Sequence, residues 1–261
     1  MPAPDALLAA VAAVAAEAGA LALRRQGEGF RRWEKGPGQP VCEVDLEVDA
    51  LIAARLAAID PDAGWLSEET LDSPARLACE RVWVVDPIDG TRDYLRGRTG
   101  WCVSIALVSG GRPVLGVLDA PGRGERWAAV AGGGATCNGR RLAASTRMTL
   151  EGARVPADTL PRTDKDLVAV PRPNSIALRA AMVAADEVDL LATLRWGNEW
   201  DIAAAALIAE EAGATVTDAL GAAIRYNSAS ASAFGILAAA PAIHSAAIER
   251  LSERAAAALA R

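Results

Sequence analysis

Residues 81–91 read RVWVVDPIDGT. RVWVVD (81–86) is a short, β-branched apolar run, and DPIDG stops it, so the segment predicts a buried strand ending in a turn. A carboxylate such as Asp86 at the end of a buried strand is costly unless it is paired or bound to a cation. Asp89 follows three positions on, which lets both carboxylates enter one pocket at the C-terminal edge of the strand. Pro87 pins the turn. Gly90 allows the backbone to approach a ligand closely, and Thr91 places a hydroxyl beside it. A helix starting there would present free N–H groups to a phosphate.

Three more acidic clusters lie outward from this stretch. Asp45 stands in VCEVDLEVD (41–49) at the start of a helix, Glu68-Glu69 in WLSEET (65–70), and Trp200-Asp201 at the start of an Ala-rich helix. Taken singly, Asp45 and Asp201 read equally well as helix caps, and the glutamate pair as a solvated loop. Taken together, they are hard oxygen donors with no His or Cys among them, a set that suits Mg²⁺. Two such ions about 3.5–4 Å apart can activate water and hold both the attacking and the leaving oxygen of a phosphoryl transfer.

Composition narrows the chemistry. The 261 residues suit one large domain or two intimate halves, and the net charge of −6 argues against a nucleic-acid polymer as partner. The single histidine, His244, lies in an Ala-rich stretch and reads as a surface helix residue. Ser-His-Asp, Cys-His and phosphohistidine chemistries are thereby disfavoured. Cys42, Cys79, Cys102 and Cys137 show no CxxC spacing, so a reducing, cytoplasmic setting is expected in place of disulfides or zinc. Residues 6–16 are apolar, but Asp5 and the helical spacing of Leu7, Val11, Val14, Ala18 and Leu21 favour an amphipathic helix over a signal peptide. No run reads as the ~18 apolar residues of a membrane span.

Periodicity and turn residues predict helices over 5–25, 45–59, 174–186, about 201–212 and 242–260. The helix after Asp201 is expected to end at Gly213. Strands are predicted over 81–86, 101–108, 113–120, 126–130, 166–170, 188–194, 215–218 and 234–240. Ser109–Arg112 reads as a hairpin turn and Asn138-Gly139 as another tight turn. The Gly- and Pro-rich segment 27–40 reads as a mobile loop. The mixture of elements places the chain in the α/β (α+β) class.

The four acidic segments, in this order and at this spacing, resemble the inositol-monophosphatase-like family across nearly the whole chain. The resemblance implies a layered αβαβα sandwich with an N-terminal half (1–145), a C-terminal half (146–261) and the site between them. By position, Glu68, Asp86 and the Ile88 carbonyl resemble the ligands of a first Mg²⁺. Asp86, Asp89 and Asp201 resemble those of a second, and Asp45 with Glu68 those of a third, weaker ion. Thr91 and Glu68 would position a metal-activated water, the N–H groups of Gly90 and Thr91 would hold phosphate, and Asp49 would be structural. Homodimerisation and lithium inhibition are further implications. Cys42 stands where the family often has Thr, and Arg92-Asp93-Tyr94 replaces a commoner Asn-Phe pairing.

Family members differ in the phosphate ester they take. Inositol phosphatases typically carry a glutamate about seven residues before the Asp201 position, where this chain has Leu194, or Thr193 with a one-residue shift. LSEETLDSPARL, RVWVVDPIDGTRDY and IRYN look more like the bacterial 3′-phosphoadenosine 5′-phosphate phosphatases (CysQ type). Arg195 and Trp196 would then offer charge and stacking to a nucleotide, although packing of Trp196 and solvation of Arg195 explain them equally well. The expected function is a Mg²⁺-dependent 3′(2′),5′-bisphosphate nucleotidase, with inositol monophosphatase, histidinol phosphatase or fructose bisphosphatase activity as alternatives. A haloacid-dehalogenase mechanism needs a DxD pair, which the spacing of Asp86 and Asp89 does not provide. A non-catalytic regulatory protein would be expected to have lost one of the acids.

Overall fold

The computed structural model describes residues 4–36 and 38–260. Its centre is a seven-stranded sheet in the order Gly64–Ser67, Arg81–Asp89, Cys102–Ser109, Arg112–Ala120, Glu125–Val130, Gly134–Cys137, Arg140–Arg141. Only the first pair is parallel; the rest is an antiparallel meander. The expected hairpin at Ser109–Arg112 is present, with Gly110 and Gly111 both left-handed, and the Asn138-Gly139 turn is built the same way.

Side chains alternate across this sheet, and the alternation builds the layers. Trp83, Val85, Val103, Ile105, Leu107 and Val117 face helices α1 (Pro4–Gln26) and α2 (Glu43–Ile59). Val82, Val84, Ala106, Val108 and Leu118 face the other way, towards α4 (Ile176–Ala184) and α5 (Glu199–Glu211). A short helix α3 (Thr91–Tyr94) follows the strand Arg81–Asp89 directly. Beyond α4 and α5 lies a three-stranded sheet of Leu190–Ala192, Leu237–Ala239 and Thr215–Thr217. Leu191 and Ala238 join the α4–α5 core, whereas Leu190, Leu237 and Ala239 pack on α6 (Pro241–Leu259). The result is the five-layered αβαβα sandwich that the sequence led us to expect.

Several elements differ from the sequence expectation. Residues 27–40 are not all loop: Arg32–Gly36 pairs antiparallel with Gln39–Cys42. The strand that begins at Arg81 runs on through the DPID turn to Asp89, with a register shift between Asp86 and Asp89. The segment 234–240 splits at Gly235 into Ser232–Phe234, which pairs with Trp196–Asn198, and Leu237–Ala239. Helix α5 begins two residues early, at Glu199, and Ala212 caps it, with left-handed Gly213 just beyond. His244 is buried in place of exposed, its Nε2 3.0 Å from the Thr217 hydroxyl. Helix α1 holds an 18-residue window of mean hydropathy 2.1, long and apolar enough by composition to cross a membrane. Its Leu7, Val11, Val14, Ala18 and Ala22 are buried in the protein core.

Candidate active site

The C-terminal end of the strand Arg81–Asp89 opens into a cleft of about 380 Å³, walled by residues from both halves of the chain. Glu68, Asp86, Ile88, Asp89, Gly90, Thr91, Arg195 and Asp201 all line it, as the sequence predicted. Asp45 does not; it lies buried behind Thr91, whose hydroxyl is 3.5 Å from its Oδ1 and donates to the Ile88 carbonyl at 3.1 Å. Lys35, Asn174 and Asn198 also line the cleft and were not singled out from sequence.

Each acid is placed by local structure. Asp45 and Asp201 are both third residues of their helices, and both reach back to the residue before the helix. Asp45 Oδ2 accepts from the Cys42 backbone N–H at 2.8 Å and lies 2.9 Å from the Cys42 thiol. Asp201 Oδ2 accepts from Asn198 N–H at 3.2 Å. These are the reciprocal cap geometries of a helix start, and the positive end of each helix favours the acid there. Cys42 thus makes through sulfur the contact that threonine would make through oxygen.

Asp49 is structural in a definite sense. It is buried and accepts from the hydroxyls of Ser67 and Thr70, the residues that bracket Glu68-Glu69. The glutamate pair is therefore held from below, and Lys35 reaches it from the hairpin, 2.5 Å from Glu69 and 3.5 Å from Glu68. Asp86 is buried and accepts the Ile88 N–H at 3.0 Å. Asp89 is turned towards α4: Oδ2 accepts from the Ser175 hydroxyl (2.5 Å) and Ala177 N–H (2.7 Å), and Oδ1 from Ile176 N–H (3.4 Å). Gly90 sits where a side chain will not fit. Its φ is +99°, and a Cβ would lie 2.7 Å from the Gly100 carbonyl and 3.0 Å from Ser175 N.

The electrostatics follow from this crowding. Burial, then the charges of Glu68, Asp89 and Asp201, hold the Asp86 carboxyl well above the ordinary range. Asp201 is pushed up to about 8 by burial and by the charges of Asp89 and Glu68. Asp89 rises to about 6, burial outweighing its Ser175, Ala177 and Ile176 hydrogen bonds. Burial also raises Asp45 to about 6 against the Cys42 contacts.

Among the described residues, Asp45, Asp86, Asp89 and Asp201 take part in no ion pair, and no three Asp, Glu, His or Cys side chains stand gathered closely enough to hold a metal ion as they are. Three of these, Asp86, Asp89 and Asp201, share the cleft wall with no protein cation within ion-pair distance. Oxygen donors in an open arrangement of this kind fit a hard divalent cation.

Residues 4–257 match the model of the inositol monophosphatase family. A Thermotoga maritima protein named fructose-1,6-bisphosphatase/inositol-1-monophosphatase is 36% identical over 186 residues, covering 68% of this chain and 71% of the relative. Inositol monophosphatase 2 of Solanum lycopersicum is 33% identical over 205 residues, covering 72% and 77%. Among solved structures, a Thermotoga maritima IMPase superposes with a TM-score of 0.82 at 29% identity, covering 93% of this chain and 95% of that one. The extragenic suppressor protein suhB of Bartonella henselae gives 0.81 at 30% identity, covering 95% and 99%. The chain belongs to the inositol monophosphatase family, whose members are metal-dependent phosphatases that hydrolyse phosphate monoesters.

Proposed function

We propose that this phosphatase uses two or three Mg²⁺ ions and acts on a phosphate monoester that carries a second anionic group, a 3′(2′),5′-bisphosphate nucleotide fitting best. One observation carries the substrate choice. Leu194, where a polyol-binding acid would be expected, packs against a hydrophobic cluster with Leu150, Leu160 and Leu251. The next residue, Arg195, lines the acidic cleft beside Asp201. The chain thus presents a guanidinium suited to a second phosphate, and at positions 193 and 194 no carboxylate to take paired hydroxyls. Trp196, 58% exposed and edge-on to Phe234, stands next to it as a surface on which a base can stack.

In this reading Glu68, Asp86, Asp89, Asp201 and the Ile88 carbonyl would hold the two principal ions, and Asp45 with Glu68 would support a third. The chemistry a bound Mg²⁺ supplies is neutralisation of phosphoryl oxygens and acidification of water. The chain's own groups do the rest. Thr91 spends its proton on the Ile88 carbonyl, which leaves its lone pairs to orient the attacking water. Glu68, which lines the same cleft, would take that water's proton. The Gly90 and Thr91 N–H groups hold the phosphate. With no histidine in the cleft, the leaving oxygen takes its proton from solvent.

The names of the relatives favour a second reading, inositol monophosphate as substrate. Phosphate release with Mg²⁺, against an EDTA control, from 3′-phosphoadenosine 5′-phosphate, inositol 1-phosphate, fructose 1,6-bisphosphate and histidinol phosphate separates the two. The proposal expects the highest kcat/KM for the bisphosphate nucleotide, and a preference for inositol 1-phosphate would replace it.

A further inference from the structure

The segments that carry Glu68 and Asp201 are linked by a buried network to which neither acid contributes its side chain. Arg76 is buried, and its guanidinium makes four hydrogen bonds. Nε and Nη2 donate to the two oxygens of Asp72 at 2.7 and 2.8 Å. Nη1 donates to Asn227 Oδ1 at 2.6 Å, and Nη2 also to the Ser228 carbonyl at 3.0 Å. The Asn227 amide returns a bond to the Arg76 carbonyl at 3.3 Å.

The other side of the same turn is gripped by Glu199, which is wholly buried. Its carboxylate accepts the N–H groups of Asn227 (2.6 Å) and Ser228 (2.9 Å), together with the Ser228 hydroxyl. The turn is held in one conformation, with Asn227 left-handed at φ +57°.

The two ends of this chain of contacts lead straight to the site. Glu199 precedes Asp201 by two residues in the first turn of α5. Arg76 packs on Gly64, where a Cβ would come within 3.1 Å of its own Cβ, and Gly64 begins the strand that delivers Ser67 and Glu68. A neutral surface turn needs neither a buried guanidinium nor a buried carboxylate, since both are costly to desolvate and are tolerated only when fully bonded.

We propose that Arg76, Asn227 and Glu199 are positioning residues, a latch that sets the separation of Glu68 and Asp201 and thereby the cleft's affinity for a divalent cation. This rests on the metal assignment proposed above. The latch touches neither substrate nor ion. It acts by fixing two of the donors, one from each half of the chain.

The test is calorimetric titration of Mg²⁺ into the metal-stripped full chain, with kcat and KM measured in parallel. The variants are Arg76→Met, Glu199→Gln and Asn227→Gly. Asn227→Gly keeps the left-handed backbone and removes only the side-chain bonds, so it reports even if the buried-charge variants fail to fold. Each folded variant is expected to bind Mg²⁺ about 10-fold or more weakly. The loss of kcat should exceed any change in KM, and Arg76→Met combined with Asn227→Gly should lose no more than the larger single change. An Mg²⁺ affinity within twofold of wild type for Asn227→Gly overturns the latch, even if its melting temperature falls. So does wild-type protein that binds no Mg²⁺. Wild type that binds Mg²⁺ but hydrolyses none of the four esters overturns the substrate reading alone, and leaves the latch to be decided by the affinities.

Discussion

The hydroxyl of Ser175 donates to Oδ2 of Asp89 across 86 positions of sequence, and it also accepts the Leu178 N–H as the cap of α4. One side chain therefore fixes both the start of a C-terminal helix and the direction of an N-terminal acid. Ser175→Ala should leave Asp89 buried with one fewer donor. The expected outcome is a 10- to 100-fold loss of kcat/KM, roughly the effect of removing a partner that orients a metal-binding group. Ser175→Thr should recover most of it. Steady-state kinetics on the three proteins checks this, and equal activity in Ser175→Ala would show that the α4 N–H groups suffice.

Cys42 offers a separable test. Its thiol is pushed up to about 12 by burial and by the charge of Asp45, so it serves as a donor to that acid and not as a nucleophile. Cys42→Ala should cost about 0.5–2 kcal/mol, the ordinary range for loss of a cap. Cys42→Thr should be neutral or stabilising. Denaturant midpoints measure both, and an unchanged midpoint in Cys42→Ala would show that the thiol contact contributes nothing.

The acids of the cleft set a distinctive pH dependence. Folding raises their pKa values, to about 6 for Asp45 and Asp89 and about 8 for Asp201, from ordinary values near 4. A carboxylate raised in this way favours the folded state below its unfolded pKa and loses that contribution as pH climbs through the folded value. Protein stripped of metal should therefore lose stability between about pH 4 and pH 8. Added Mg²⁺ should raise the melting temperature more at pH 8 than at pH 5. A Mg²⁺ shift of equal size at both values would contradict the shared, strained cluster.

Asp189 has the opposite sign. It is buried and held down to about 2, where bonds from Arg154 and Ser145 outweigh the cost of burial. Its contribution is present above the unfolded value near 4 and is lost as pH falls towards 2. Asp189→Asn should lower stability at neutral pH by on the order of 2 kcal/mol and flatten the acid limb below pH 4. Urea unfolding at pH 7 and pH 3 reads both effects, and parallel pH profiles for variant and wild type would refute the assignment.

What could be read from sequence was whatever local chemistry marks. Asp86 and Asp89 were visible because a buried strand ends in DPIDG, and Asp45 and Asp201 because acids begin their helices. Contacts between distant segments left no local signal. Arg76 and Asn227 are 151 positions apart, and Ser175 carries only the mark of a helix cap. The hairpin at 32–42 was missed because Arg32–Lys35 are exposed, so no alternation of apolar residues betrays the strand. His244 was misplaced because its Ala-rich helix gives little contrast between faces, and the face that buries Ile243, Ala247 and Leu251 takes His244 with it.

The central claim is that acids delivered separately by the strand Arg81–Asp89 and by α5 form one metal-dependent hydrolytic site. The most direct measurement is Mg²⁺-dependent phosphate release by Asp86→Asn and Asp201→Asn, with circular dichroism on the same samples. The account predicts wild-type spectra and a loss of turnover by at least three orders of magnitude in both, about 4 kcal/mol in the barrier. Near-wild-type release from either folded variant would contradict it.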